Sequence, residues 1–220
     1  MKTLNLEKLY RKIFNAKYTT VGDSVDYCFQ EEGKTLYILF EESSSKVDWK
    51  HNFAFWKRPY KDMTIKYRVH SGFLKCWKTV EKIIINKIKE VDENGEYKFN
   101  RIICAGWSHG GALTVFCHEC VWFYRPDIRK QCFSVSFEGP RVYGGFRVKK
   151  SLRERWAHFF QVINDKDIVT HVPPKFFGFT HVGNVIYIGR DAGLGYIKSH
   201  CSDGIFQSLQ EIKIGEENET

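Results

Sequence analysis

Leu6, Leu9, Tyr10, Ile13 and Phe14 recur at three-to-four-residue spacing, which predicts an amphipathic helix over 4–14. The rhythm then changes. Residues 27–40 read as two strands folded about Glu31-Glu32-Gly33, a hairpin signal. An irregular, basic and aromatic stretch fills 46–69, and helical spacing returns from about residue 72 to 91 before a turn at Asp92-Glu93-Asn94-Gly95. Short apolar runs at 101–105, 132–137 and 159–163 read as buried strands, and 185–189 reads as a later strand. Between them lie a helical segment from about 108 to 123, ended near Pro126, and a short helical piece at 149–156. A last amphipathic helix is expected over 203–212, with a polar tail at 216–220 that frays. Strands alternating with helices predict a three-layer α/β domain, a mostly parallel central sheet with helices on both faces. No linker or internal repeat divides residues 1–220, so one domain is expected.

Composition narrows the classes. At 43% hydrophobic and 16% aromatic residues with 5 prolines, the chain is neither disordered nor collagenous, and it has no apolar run of about 18 residues that would span a bilayer. The balance of 34 basic against 26 acidic residues gives +8, which permits contact with an anionic surface such as a membrane. No clustered Lys/Arg stripe or nucleic-acid motif accompanies that charge, so no nucleic-acid partner is expected. The seven cysteines are an odd number, and the first 20 residues lack the apolar stretch of roughly 7–15 residues of a secretory signal. Reduced thiols in a cytosolic compartment are therefore expected. Cys117-His118-Glu119-Cys120 invites a zinc reading, but no second Cys or His pair follows at ligand spacing. The segment reads instead as packed helix thiols, with no metal or cofactor expected.

Gly106-Trp107-Ser108-His109-Gly110 has the G-x-S-x-G form and falls where a strand hands over to a helix. Glycines suit the near-contact of strand and helix backbones there, and the turn lifts the Ser108 hydroxyl clear of the sheet. A serine hydroxyl is a poor nucleophile until a base takes its proton, so a histidine oriented by a carboxylate is required, in the chain order Ser, acid, His. The run at 159–163 leads into Asn164-Asp165-Lys166-Asp167, and spacing alone does not separate Asp165 from Asp167. Of eight histidines, His51 and His70 precede the serine. His109 is adjacent to it, with a backbone N–H suited to an oxyanion. His118 lies along the helix, and His158 precedes the acid. His200 follows the 185–189 strand and is the preferred base; His171, in the acid's own loop, and His181, before that strand, are the alternatives.

Five ordered blocks carry a family resemblance: Phe40-Glu41-Glu42-Ser43 through Asp48-Trp49, Val69-His70-Ser71-Gly72-Phe73, Gly106 to Leu113, Gly139-Pro140-Arg141-Val142, and Asn164 to Pro174. Together they resemble the class 3 lipases, the fungal-type triacylglycerol lipases of the α/β-hydrolase fold. The resemblance implies Ser108 as nucleophile, Asp167 as acid and His200 as base, with Ser43 and the His109 N–H as the oxyanion hole. It departs from the family at Glu41-Glu42, where Arg-Gly is usual.

The implied activity is hydrolysis of lipid esters, acylglycerol or phospholipid, through an acyl-enzyme. The segment 46–66 corresponds to the family's lid: Trp49, Phe53 and Trp56 fall on one helical face, with Pro59 expected to stop the helix. An apolar face with basic flanks suits an anionic lipid surface. Trp107 and Phe176 complete the candidate substrate contacts. The alternative, from another class, is a catalytically silent lipid-binding protein that retains the fold.

Overall fold

The computed structural model describes residues 4–22, 25–41, 56–60, 66–164, 167–188, 205, 209 and 213–214. Its strands are β1 (Leu4–Asn5), β2 (Thr19–Val21), β3 (Val25–Glu32), β4 (Thr35–Phe40), β5 (Lys57–Tyr60), β6 (Tyr67–His70), β7 (Arg101–Trp107), β8 (Cys132–Phe137), β9 (Phe159–Asn164), β10 (Asn184–Ile188) and β11 (Lys213–Ile214). Among the described residues, the long helices are α1 (Leu6–Asn15), α2 (Ser71–Ile88) and α3 (His109–Tyr124).

Ile102 and Cys104 of β7 face one way, and Ile103 and Ala105 the other, each set into its own apolar cluster. This is why β7 reads as an unbroken apolar run: both faces are covered. It sits near the middle of a sheet ordered β10-β9-β8-β7-β4-β3-β2, in which β4, β7, β8, β9 and β10 run parallel and β3 and β2 form an antiparallel edge. On one face, α1 lays Leu6, Leu9, Tyr10 and Ile13 against Leu39, Ile103, Val135, Phe137 and Val162. On the other, α2 and α3 cover Leu36, Ile38, Phe40, Ile102 and Cys132. The expected layered α/β architecture is present.

The starts of α1 and α2 are set by side chains. Asn5 caps α1 by accepting the Lys8 N–H at 2.8 Å. His70 caps α2 with Nδ1, which accepts from the Gly72 and Phe73 N–H groups at 3.2 and 3.5 Å. Arg125, fully buried, donates to the carbonyls of Ile88 (2.6 Å) and Phe99 (2.7 Å), tying the end of α2 to the approach to β7.

The expected lid helix needs correction where it is described. Lys57–Tyr60 is a strand, paired antiparallel with β6 with Pro59 opposite Arg68, so Pro59 does not stop a helix. A two-stranded ribbon leaves one edge of each strand open, and proline, lacking an N–H, is tolerated there. Trp49 and Phe53 lie outside the described residues, as do most of 203–212 and all of 216–220.

The Cys117-His118-Glu119-Cys120 quartet is interior. His118 Nε2 donates to the Arg155 carbonyl, which leaves Nδ1 to accept from the Ser134 hydroxyl at 2.7 Å, and Glu119 pairs with Arg155 at 2.8 Å. None of the six described cysteines is joined in a disulfide.

Candidate active site

Because β4, β7, β8, β9 and β10 run parallel, the segments leaving their C-terminal ends share one edge of the sheet. Sites in open α/β sheets form there. Phe40 pairs with Gly106, Trp107 with Phe137, and Asn164 with Ile188, so these strand ends are level.

Ser108 links β7 to α3 at φ 54 and ψ −119, in the region that side chains rarely adopt, and it is buried. Its N–H donates to the Phe137 carbonyl at 2.9 Å, extending the β7–β8 ladder by one rung, and its carbonyl accepts from Gly111 at 3.0 Å, beginning the helix. The bend is thus held from both sides. A Cβ on Gly106 would fall on the Gly110 carbonyl, and one on Gly110 would fall on the carbonyl of Phe40, so these glycines permit strand and helix to meet.

Just beyond β9, Asp167 is buried; its Oδ1 accepts the Val169 N–H at 2.8 Å, and its own N–H donates to the Asn164 carbonyl at 2.9 Å. Asp165, Ser43 and His200 lie outside the described residues. The two other histidines weighed as bases are described. His171 Nδ1 donates to the main-chain carbonyl of Asp167 at 2.9 Å, and His181 Nε2 donates to the Thr170 carbonyl at 2.8 Å. Burial pushes the His181 imidazole down to about 4, so it is neutral. His109, the first residue of α3, is buried with its ring 5.6 Å from Phe73.

The candidate substrate contacts divide. Phe176 is 74% exposed and stacks obliquely on Phe177, ring centroids 4.4 Å apart; Trp56 is 75% exposed. Lys57 Nζ lies 5.1 Å from the Phe179 ring and 5.8 Å from that of exposed Phe146. Trp107 faces inward: its ring packs on Phe14 of α1 at 5.3 Å, and Nε1 donates to Glu138 Oε2 at 3.1 Å.

Glu138 is the residue that sequence reasoning missed. It follows β8 directly at φ 49, with its N–H donating to the Val162 carbonyl at 2.8 Å and its carboxyl fully buried. The available signal was an acid set between a buried strand and Gly139-Pro140. Burial, then the negative charge of Asp167, raises its pKa to about 9, outweighing the favourable bonds from Trp107 and Asn164. A carboxyl with a raised folded-state pKa keeps its proton where the unfolded chain has lost it. Its contribution to stability is therefore fully present below its ordinary value near 4.5 and is lost as pH rises towards 9. At pH 7 the loss is about 3 kcal/mol, from roughly 2.5 pH units at 1.36 kcal/mol each. Glu138→Gln is expected to remove that slope, so that its advantage in urea midpoint over the parent widens steadily from pH 5 to pH 9. A constant difference over that range would refute the buried neutral acid.

The Lipase (class 3) family matches residues 37–177, well over half the chain. The chain belongs to the class 3 lipase family. Within it, a Rhizomucor miehei lipase is 28% identical over 160 residues, 70% of this chain and 42% of the relative. A secreted mono- and diacylglycerol lipase of Malassezia globosa is 29% identical over 125 residues, 55% of this chain and 38% of its own. A solved triacylglycerol lipase whose catalytic centre is described as a serine protease triad superposes with a TM-score of 0.63 at 23% identity, covering 87% of this chain and 76% of that one. This class 3 lipase chain spans under half the length of those curated relatives. Among its described residues, no helix is long and apolar enough to cross a membrane. One relative is a secreted protein, so the comparisons lend no support to the expected cytosolic compartment.

Proposed function

We propose that this chain is a serine-dependent carboxylic-ester hydrolase acting on lipid esters through an acyl-enzyme. The observation that carries the reading is Ser108 on a positive-φ bend between β7 and α3, with buried Asp167 beyond the end of β9 at the same sheet edge.

In this mechanism Ser108 Oγ attacks the ester carbonyl carbon while His200 takes the hydroxyl proton, and Asp167 orients the imidazole and stabilises its charged form. The negative charge on the carbonyl oxygen is met by the His109 N–H, in the first turn of α3, and by the Ser43 hydroxyl. The intermediate collapses as the C–O bond to the alcohol breaks and the imidazolium returns its proton to the departing oxygen. Water, deprotonated by the same imidazole, then attacks the acyl-serine, releasing the fatty acid and restoring the hydroxyl.

Exposed Trp56, Phe146, Phe176 and Phe177, with Lys57 among them, suit contact with an anionic lipid surface, alongside Trp49 and Phe53. Trp107, held between Phe14 and Glu138, serves the site from behind.

The test is a series of p-nitrophenyl esters of increasing acyl length, with and without anionic phospholipid vesicles. Rates that rise with chain length, and rise further on vesicles, are expected. Preference for acetate or butyrate regardless of vesicles would overturn the lipid assignment. Vesicle binding without labelling of Ser108 by a fluorophosphonate would instead favour the silent lipid-binding alternative.

A further inference from the structure

The buried Glu138 carboxyl has no part in the acyl-transfer steps, yet it stands between their two described contributors. Its backbone occupies the rung after the one that holds the serine: Phe137 accepts the Ser108 N–H, and Glu138 donates to Val162 of β9. Its side chain reaches back to the indole of Trp107, the residue before the nucleophile. It also takes a hydrogen bond from Asn164, whose carbonyl accepts the Asp167 N–H, and it lies within the field of the Asp167 carboxylate. Serine bend, Glu138 and acid loop therefore form one buried polar unit spanning the ends of β7, β8 and β9.

We propose that Glu138 is a positioning residue of the triad, a buried clamp that ties the bend carrying Ser108 to the loop carrying Asp167. The proposal rests on the hydrolase reading above. Its chemistry follows from the pocket. The Glu138 carboxyl is buried and within the field of Asp167, and both burial and that field favour the form of Glu138 that keeps its proton. Among the groups acting on Glu138, Asp167 is the charged one; Trp107 and Asn164 are neutral donors. With the proton on Glu138, the clamp is neutral and Asp167 keeps its turn. When that proton leaves, the two like charges repel across the pocket and the loop that orients the base is pushed away from the serine bend.

The glutamate is itself unusual in this place, because its φ of 49 is one that a residue without a Cβ adopts at no cost. A strained, buried acid is expensive to keep as mere packing, and clusters of such features mark functional sites.

The experiment compares the parent with Glu138→Gln and Glu138→Leu by two readouts. The first needs no turnover: the ¹H–¹⁵N signal of the Trp107 indole, assigned by its loss in Trp107→Phe, should titrate with a midpoint near pH 9 in the parent and stay fixed in Glu138→Gln. The second is the pH profile of kcat on a soluble p-nitrophenyl ester. The parent should lose about tenfold in kcat between pH 7.5 and 10, and Glu138→Gln less than about threefold. At pH 7.5, Glu138→Leu should lower kcat by about tenfold or more with KM little moved, and Gln should recover most of that loss.

An alkaline limb identical in parent and Gln variant, an indole signal that ignores pH in the parent, or a Leu variant with parental kcat would each overturn the clamp. Should Glu138→Leu fail to fold, the Gln variant and the indole titration decide. If Ser108→Ala still turns the ester over, the hydrolase reading falls, and the indole titration still reports whether Glu138 ionises against Trp107. If Ser108→Ala is inactive and the alkaline limb is unmoved in the Gln variant, the clamp alone is wrong.

Discussion

Ser108→Ala is expected to lower kcat/KM on any ester the protein accepts by about 10⁴-fold or more while leaving stability within about 1 kcal/mol of the parent. The first half follows from chemistry: without the hydroxyl no acyl-enzyme forms, and what remains is direct attack by water in a site shaped for another nucleophile. The second follows from the backbone. The bend is held by the Ser108 N–H to Phe137 and the Ser108 carbonyl to Gly111, both main-chain bonds that alanine keeps. Alanine also inherits the cost of φ 54. Ser108→Gly is the sharper control. It too should be inactive, but it relieves a strain of about 1–3 kcal/mol and gives back only about 0.5–1 kcal/mol of backbone entropy, so it should unfold at a higher temperature than the parent. A variant less active and more stable than its parent is the signature of strain kept for function. Ester turnover that persists in Ser108→Ala, confirmed by mass spectrometry of the intact variant, would end the triad assignment.

The layers of the fold were legible because β7, β8 and β9 are buried along nearly their whole length, and that coverage leaves short, mostly apolar runs broken only by such residues as Ser134, Ser136 and Gln161. Ser108 was legible for a related reason. Its flanking glycines are required by contact of Gly106 with Gly110 and of Gly110 with Phe40, so the geometry writes itself into residue type. Asp167 was harder, since an aspartate two positions earlier fits the same spacing; the family resemblance selected between them. In the structure the Asp167 side chain is buried and accepts the Val169 N–H, while Asp165 lies outside the described residues.

Other features left no trace in local pattern. Trp49, Phe53 and Trp56 have helical spacing, yet Trp56 leads into a strand whose partner, β6, is set by long-range pairing that periodicity does not encode. Nothing beside Arg125 in the sequence marks it, yet it is buried to serve carbonyls at Ile88 and Phe99, far away in the chain. Glu138 drew no reading from the sequence. Its burial depends on Val162, Asn164 and Trp107 arriving from two other strands, and only the assembled sheet edge brings them together. The buried groups beside the bend are thus less visible in sequence than the bend itself, because their burial is set across strands.

Gly110→Ala carries the second large effect, and its sign runs against intuition. Within a helix, replacing glycine by alanine ordinarily stabilises by about 1 kcal/mol, and Gly110 lies in the first turn of α3 with a helical backbone. Here the methyl would fall on the carbonyl of Phe40 and reach 2.9 Å from the carbonyl oxygen of Glu41. Both atoms are backbone at the end of β4, so no side chain can swing aside. The contact must be relieved by moving α3 away from the strand end, against the packing of Ala112, Leu113 and Phe116 in the core. Overpacking against a rigid neighbour costs about 1–3 kcal/mol or more, so the clash outweighs propensity, and a net loss of roughly 2 kcal/mol or more is expected. The activity should fall further than the stability. The same displacement separates the first turn of α3, with the His109 N–H, from the segment that follows Phe40, and a shift of about 1 Å at a catalytic contact costs about a hundredfold. Urea denaturation with parallel kcat measurement on a soluble ester checks both numbers. A Gly110→Ala protein more stable than the parent, with parental kcat, would mean that helix and strand end do not touch there, and the description of the bend would have to be abandoned.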